Sequence, residues 1–212
     1  MQQLLLDIRP AARPTLDNFI PGPNRELLGH LKKWLAGETV ETALYIWGPP
    51  GSGKTHLLNA LAAEAGVTLW NGDGEIAADA PLIAIDDVES LTESAQIAVF
   101  DAYNRARAAG KRFASAGENA PAGLGLREDL RTRLGWGLVY RIYPLSDTDM
   151  QAALTQHAQD LGFDLDPAIT RWLLTRTSRN LGYLLRIVEA LDRYSLQTRR
   201  RITLPLLKEI LP

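Results

Sequence analysis

The 212-residue sequence has no cysteine, three histidines, 46% hydrophobic residues and a formal net charge of −2. This composition excludes disulfide bonds and thiol catalysis, disfavours a histidine-rich zinc site, and gives no overall field that would draw the chain to DNA or to a membrane surface. No apolar run reaches membrane-spanning length and the N-terminal one is too short for a secretory signal, so we expect a cytoplasmic protein.

The first segment, residues 1–13, is apolar around Leu4–Leu6 and stands before Pro10 and Pro14. Segments of this kind are usually mobile unless something docks them. The residues alone leave two interpretations open. The segment is either a peptide that fits a groove on a partner protein or a first strand that packs on the chain's own core.

A helix is predicted from Asn24, as its N-cap, to about Leu35, and it ends at Gly37. A short apolar strand is predicted at Ala43–Trp47. The helix predicted before this strand has one apolar face, formed by Leu27, Leu28, Leu31, Trp34 and Leu35.

The stretch Gly48–Thr55 matches the phosphate-binding loop pattern G-x-x-x-x-G-K-[ST] at every fixed position. In such a loop the glycines let backbone N–H groups point at phosphate oxygens, Lys54 reaches the β and γ phosphates, and the Thr55 hydroxyl can ligate Mg²⁺. A helix predicted at His56–Glu64 gives the loop its usual flank. The predicted phosphate contacts are Gly48, Pro49, Pro50, Gly51, Ser52, Gly53, Lys54 and Thr55.

Two further strands are predicted, a short one at Val67–Trp70 and a fully buried parallel one at Leu82–Ile85. Asp86 and Asp87 follow the second strand, at the edge where open α/β sheets bind ligands. In a phosphate-loop protein Asp86 would hold Mg²⁺ and Asp87 would orient the attacking water. The alternative is that the pair begins a turn or caps a helix.

A helix capped by Thr92 or Ser94 is predicted to run to about Ala109, and a weak strand follows at Arg112–Ala116. Glu118 comes after that strand, where a polar side chain can sense the γ phosphate, although loops are polar in general. The apolar residues expected to face inward from the helix are Ile97, Phe100 and Tyr103.

A short helix at Leu126–Leu134 carries Arg133, and a strand at Val139–Tyr143 ends the α/β region. We therefore expect an α/β domain over residues 14–145 and an all-helical domain over residues 146–212. The second domain is too small to be an enzyme by itself.

These elements together resemble the AAA+ ATPases, and within them the DnaA group. Besides the phosphate loop, the segments that carry the resemblance are Thr15–Asn24, Ile85–Asp87 and Thr132–Leu138, and it extends over nearly the whole chain, from about residue 14 to 211. It implies a parallel sheet flanked by helices and followed by a helical lid, in a protein that binds ADP or ATP with Mg²⁺. It further assigns adenine-side contacts to Phe19 and Ile20, a nucleotide contact to His56, Mg²⁺ ligation to Thr55 and Asp86, and catalytic roles to Asp87, Glu118 and Arg133.

The N-terminal residues add a second resemblance, to the peptide that docks on the DNA polymerase III sliding clamp, through Gln3, Leu4, Leu6 and Ile8. Regulatory proteins of the DnaA group that carry this peptide act as negative regulators of replication initiation. The resemblance thus implies that the chain, with the DNA-loaded clamp, stimulates hydrolysis of DnaA-bound ATP by supplying Arg133 as an arginine finger in trans. Without the resemblance, Arg133 would be interpreted as a surface arginine paired with Glu128 or Asp129.

The sequence departs from the DnaA group in two places. Gly182 stands where the lid helix usually carries a nucleotide-contacting arginine, and Arg179 is a possible substitute. Asp87 has a shorter arm than the glutamate of many AAA+ ATPases, so we expect weak intrinsic hydrolysis and tight nucleotide retention. The alternative function is a free-standing AAA+ ATPase such as a helicase loader. Direct DNA binding is disfavoured, contact with DNA is expected only through the clamp, and a homo-oligomer is possible.

Overall fold

The structure, a computed structural model, describes residues 13–70, 72, 74–77 and 79–211. It divides into two compact units, Arg13–Pro144 and a C-terminal unit that begins at Leu145. The predicted clamp-binding residues, Gln3, Leu4, Leu6 and Ile8, lie outside the described residues.

A four-stranded parallel sheet forms the centre of the first unit, in the order β2-β3-β1-β4. Because the strands are parallel, their carboxyl ends meet at one edge, and the segments that follow them converge there. This confirms the predicted α/β fold. The strands are β1 (Ala43–Trp47), β2 (Leu82–Ile85), β3 (Arg112–Gly117) and β4 (Leu138–Arg141).

Helices cover both faces of this sheet. Alternate residues of β1 divide between two cores: Leu44 and Ile46 pack with the first two helices, and Tyr45 packs with the next two. Short 3₁₀ turns at Gly22–Asn24, Val88–Ser90 and Pro121–Gly123 complete the unit. The helices are α1 (Arg25–Ala36), α2 (Lys54–Glu64), α3 (Glu93–Ala108) and α4 (Glu128–Leu134).

The predicted strand at Val67–Trp70 is wrong. Only Trp70 reaches the sheet, through one parallel bridge to Ile85 in which its backbone N–H donates to Ala84 O at 2.9 Å. The indole Nε1 of the same residue donates to Gly74 O at 3.3 Å, so its next contact lies within its own loop. A single pairing residue does not make a ladder.

The inward face of α3 also differs from the prediction. Ile97 is 44% exposed, whereas Tyr103 is buried as predicted and Phe100 is half-buried. The prediction followed the largest apolar side chains, but the buried face is formed mainly by small ones. The buried residues of α3 are Ala95, Val99, Ala102, Tyr103 and Ala106.

The C-terminal unit is entirely helical, as predicted. Side chains cap each helix at its start, and Ser146 and Asp149 form a reciprocal capping box on the first of them. Its core is aliphatic, with Leu154, Ile169 and Leu173 fully buried. None of the helices in the described part of the chain is long and apolar enough to cross a membrane. The helices are α5 (Asp147–Asp160), α6 (Pro167–Arg176), α7 (Leu181–Thr198) and α8 (Leu204–Ile210).

Asn24 has a different structural role from the predicted helix cap. Its side chain makes no capping bond to α1, and is 3% exposed as a residue. Instead, Asn24 Nδ2 donates to Tyr143 O at 2.8 Å, and Tyr143 N–H donates to Asn24 Oδ1 at 2.8 Å. The amide therefore pairs with the backbone just beyond β4 and fixes the start of α1 there.

We expect Asn24→Ala to lower the free energy of unfolding by about 2 kcal/mol, because it leaves two backbone groups of Tyr143 without their partner. Urea unfolding followed by circular dichroism measures the effect. Asn18→Ala is the matched control: its side chain bonds only exposed backbone groups, so a change below about 0.5 kcal/mol is expected. Equal losses in the two variants would contradict this role for Asn24.

Candidate functional site

The loop after β1 has the conformation that its glycines allow. Gly51 and Gly53 have φ values of 75° and 102°, which residues with a Cβ rarely adopt. Gly53 is the N-cap of α2 and has no side chain with which to cap it. Lys54 Nζ donates to Gly48 O at 2.6 Å and to Pro49 O at 3.1 Å, so the lysine folds back over the loop. A loop of this form fits a phosphate group.

The two predicted Mg²⁺ ligands lie together. Thr55 Oγ1 donates to Asp86 Oδ2 at 2.5 Å, and the other carboxylate oxygen, Oδ1, accepts the N–H of Asp87 at 2.9 Å. A hydroxyl and a carboxylate at this distance form a hard-oxygen donor set that fits Mg²⁺. They are brought together because β2 delivers Asp86 to the same sheet edge as the phosphate loop.

Asp87 has an unusual backbone conformation, with φ of 47° and ψ of 55°. Aspartate tolerates this left-handed region better than most residues, and Ser90 Oγ supports it by donating to Asp87 O at 2.7 Å. The conformation starts the 3₁₀ turn at Val88–Ser90 and leaves the Asp87 side chain exposed. The Asp pair therefore does begin a turn, the alternative interpretation, while Asp86 also lies in the site.

The segment Thr15–Ile20 lies beside the phosphate loop. The Phe19 ring is buried, and its centroid lies 5.6 Å from that of His56. His56 Nε2 lies 3.0 Å from Thr15 O. Ile20 follows in the chain and is half-buried. The structure thus brings predicted nucleotide contacts from distant parts of the sequence to one side of the loop.

Glu89 is a site residue that the sequence analysis missed. Its Oε1 accepts the N–H groups of Glu118 at 2.7 Å and Asn119 at 3.0 Å, and so fixes the backbone after β3. Tyr45 OH donates to Asn119 O at 2.8 Å, and burial together with the nearby Glu89 charge raises the pKa of this tyrosine. The Glu118 side chain is therefore mounted on a fixed backbone beside the turn that follows Asp86 and Asp87.

Arg133 is held by groups on its own chain. Its Nε donates to Asn104 Oδ1 at 3.1 Å, and its guanidinium carbon lies 3.9 Å from the ring centroid of Trp136 and 5.5 Å from that of Phe100. Stacking and one hydrogen bond orient a planar guanidinium and leave its terminal nitrogens for other partners. The sequence pointed to Arg133 but gave no signal for Asn104.

Arg133 does not form the alternative ion pair with Glu128 or Asp129. Asp129 instead accepts two hydrogen bonds from Arg127, at 2.9 and 3.3 Å, and these hold the pKa of the Asp129 carboxyl below its usual value. Arg133 lines an open depression of about 600 Å³ on this surface. The other residues that line it are Phe100, Arg127, Glu128, Asp129 and Thr132.

In the helical unit, Arg179 pairs with Asp147 at the start of α5. Both side chains are more than half exposed, so this ion pair contributes little to stability. Gly182 lies in the first turn of α7, where it presents no side chain. Within its own unit, therefore, Arg179 already has a carboxylate partner.

Residues 147–211 match the family model described as Hda, lid domain. The chain is also similar to domain III of the Thermotoga maritima replication initiation protein DnaA, at 19% identity and a TM-score of 0.75, over 96% of this chain and 98% of that one. AMPPCP-bound DnaA of Aquifex aeolicus is similar at 24% identity and a TM-score of 0.67, over 91% of this chain and 71% of that one. A Thermotoga maritima RuvB variant is similar at 18% identity and a TM-score of 0.63, over 97% of this chain and 72% of that one.

At these identities the solved structures show the fold alone, a parallel sheet flanked by helices with a helical region after it, which this chain shares with DnaA and RuvB. The match to the Hda lid domain is a separate finding and concerns residues 147–211. The lid match and the shared fold agree with the predicted resemblance to the DnaA group: residues 147–211 are similar to the Hda lid domain, and the chain has the fold of DnaA domain III. The fold similarity to RuvB alone does not separate the initiator branch from other AAA+ proteins.

We expect Gly53→Ala to weaken nucleotide binding at least about tenfold, since a methyl group there would lie 2.8 Å from Phe19 Cε2 in a backbone conformation that alanine disfavours. Equilibrium binding of a fluorescent ADP analogue measures the effect. Gly29→Ala is the control, because nothing lies within 4 Å of an added Cβ at that position. Wild-type affinity in the Gly53 variant would contradict this reading of the loop.

Proposed function

We propose that the chain is a nucleotide-binding regulator that stimulates hydrolysis of ATP bound to DnaA. In this proposal it binds ADP or ATP in its own phosphate loop, docks on the DNA-loaded sliding clamp, and supplies Arg133 to the nucleotide of DnaA. The result is negative regulation of replication initiation. The lid match to Hda and the DnaA-like fold support a regulator of this kind.

Nucleotide binding by this chain rests on its donor set. The loop Gly48–Thr55 would hold the phosphates, Phe19, Ile20 and His56 would lie on the adenine side, and Thr55 with Asp86 would hold Mg²⁺. A bound Mg²⁺ would neutralise phosphate charge. The AMPPCP found on the Aquifex aeolicus DnaA supports the same class of ligand here.

The observation that carries the proposal is that Arg133 is oriented by its neighbours but is not paired with an acid. Its guanidinium is oriented by Asn104 and Trp136, lies on an open surface, and has no carboxylate within 4.0 Å in the described part of the chain. A half-buried arginine that serves stability would normally be paired with an acid. An unpaired, oriented one is suited to an anion supplied by another molecule, and such a finger contributes on the order of 10³–10⁵ in rate.

One observation favours the alternative, a free-standing ATPase: Thr55 and Asp86 are intact and in contact. Asp87 argues against rapid ATP hydrolysis by this chain, because its side chain is short and its backbone has a left-handed conformation. We therefore propose weak intrinsic hydrolysis with tight retention of nucleotide. In its lid, Arg179 would have to leave Asp147 before it could contact a phosphate, so we propose that its nucleotide contact is secondary.

We expect Arg133→Ala to lose at least about a hundredfold of the stimulated rate, because no other group would replace the guanidinium at the transferred phosphoryl. The measurement is phosphate release from ATP-loaded DnaA with clamp on DNA, with and without this protein. Arg131→Ala on the same helix is the control and should keep the wild-type rate within twofold. Release that comes from this protein alone, and is the same without DnaA, would replace the regulator with the ATPase.

We expect Gln3→Ala to weaken binding to the clamp at least about tenfold, because the glutamine is the polar anchor of the docking peptide. Surface plasmon resonance on immobilised clamp measures it, with Arg13→Ala as the control outside the peptide pattern. Unchanged clamp affinity would show that residues 1–13 serve another purpose, while leaving the role of Arg133 to the hydrolysis assay.

A further inference from the structure

A second arginine shares the aromatic platform of Arg133. The guanidinium carbon of Arg107, near the end of α3, lies 4.8 Å from the ring centroid of Trp136, while that of Arg133 lies 3.9 Å from it. The two carbons are thus at most 8.7 Å apart, the sum of these distances. Trp136 itself is 40% exposed, Arg107 is exposed and Arg133 is half-buried, so all three side chains are accessible to another molecule. We call these three residues the arginine pair on Trp136.

The arginine pair carries charge that its own chain does not neutralise. Within the described residues, neither guanidinium has a carboxylate within 4.0 Å. Glu128 and Asp129 line the same depression as Arg133, but Asp129 pairs with Arg127. Both guanidinium charges also act on the buried side chain of Tyr103. Burial raises the pKa of Tyr103, and the positive charges of Arg107 and Arg133 oppose that rise. Two like charges this close repel one another, which opposes the stabilisation that each gains by stacking on Trp136.

An unneutralised pair of this kind is suited to a polyanion. Each guanidinium presents a planar fork of N–H donors that matches phosphate oxygens, and stacking on an aromatic ring orients the fork without consuming its donors. Two guanidinium groups within 9 Å of each other suit a ligand with neighbouring phosphoryl groups, such as a triphosphate, better than a ligand with a single carboxylate. Asn104 fixes only Arg133, so Arg107 is the more adjustable member.

We infer that Arg107 is a second phosphate-contacting residue of the trans-acting site, which binds the partner's triphosphate together with Arg133, and that Trp136 positions both guanidinium groups. The inference rests on the proposed function. It extends that function from one finger to a two-arginine contact, in which Arg133 faces the transferred phosphoryl and Arg107 faces its neighbour.

The test is the stimulated hydrolysis of ATP-loaded DnaA with clamp on DNA, titrated with this protein so that the maximal rate and the half-maximal concentration are obtained separately. Arg107→Ala should lower the maximal rate about tenfold and leave the half-maximal concentration within twofold. Arg105→Ala, an exposed arginine two residues earlier on the same helix, is the matched control and should change neither value. Trp136→Leu should lower the maximal rate, and Trp136→Phe, which keeps a π face, should recover most of it.

The outcomes separate the inference from the function on which it rests. If Arg133→Ala keeps the wild-type rate, the proposed function fails. If Arg133→Ala loses the rate while Arg107→Ala stays within twofold, only the role of Arg107 is overturned. A rise in half-maximal concentration at unchanged maximal rate would also overturn it, because Arg107 would then contact the partner's surface or the DNA backbone. Unchanged thermal unfolding midpoints exclude misfolding as the cause.

Discussion

Parallel pairing of β3 with both β1 and β2 is the constraint on which the site depends. It places the carboxyl ends of the strands at one edge, so that three segments distant in sequence begin side by side. The phosphate loop follows β1, the Asp86–Asp87 pair follows β2, and Glu118 follows β3. No local interaction could assemble these groups, because nothing in any one segment specifies the others.

Two carboxylates at this edge serve different purposes. Asp86 contacts Thr55, with which we propose that it holds Mg²⁺, whereas Glu89 accepts two backbone N–H groups and fixes the loop that carries Glu118. Because Glu89 lies in the turn that starts at Asp87, the acid pair and the Glu118 loop are mechanically joined.

Helices α3 and α4 cover the face of the sheet opposite to α1 and α2, and the groups that we propose to act on another molecule lie there. Helices α3 and α4 pack against each other through small and aliphatic side chains, and their exposed rims bring Asn104 and Arg107 to Arg133 and Trp136. This face has its own hydrophobic core, separate from the one under the phosphate loop. The chain thus has one region suited to its own nucleotide and another suited to a partner's, joined by the same strands.

The sequence by itself determined the elements whose signals are local. The phosphate loop follows from glycine and lysine spacing, and the strand before Asp86 from an unbroken apolar run. The helical character of residues 146–212 was predicted from local patterns as well. Each of these depends on residues within a few positions of one another, so pattern and propensity were sufficient.

Only the tertiary structure decided what depends on long-range packing. Asn24 looked like a helix cap, yet it bonds a backbone 119 residues away. Trp70 looked like part of a strand, yet it makes a single bridge. Arg133 was identified by resemblance, but its surroundings were not, because Asn104 contacts it, and Arg107 contacts the same Trp136 ring, only once α3 and α4 pack. Such contacts arise from the meeting of two surfaces, and neither surface records the other in its own sequence.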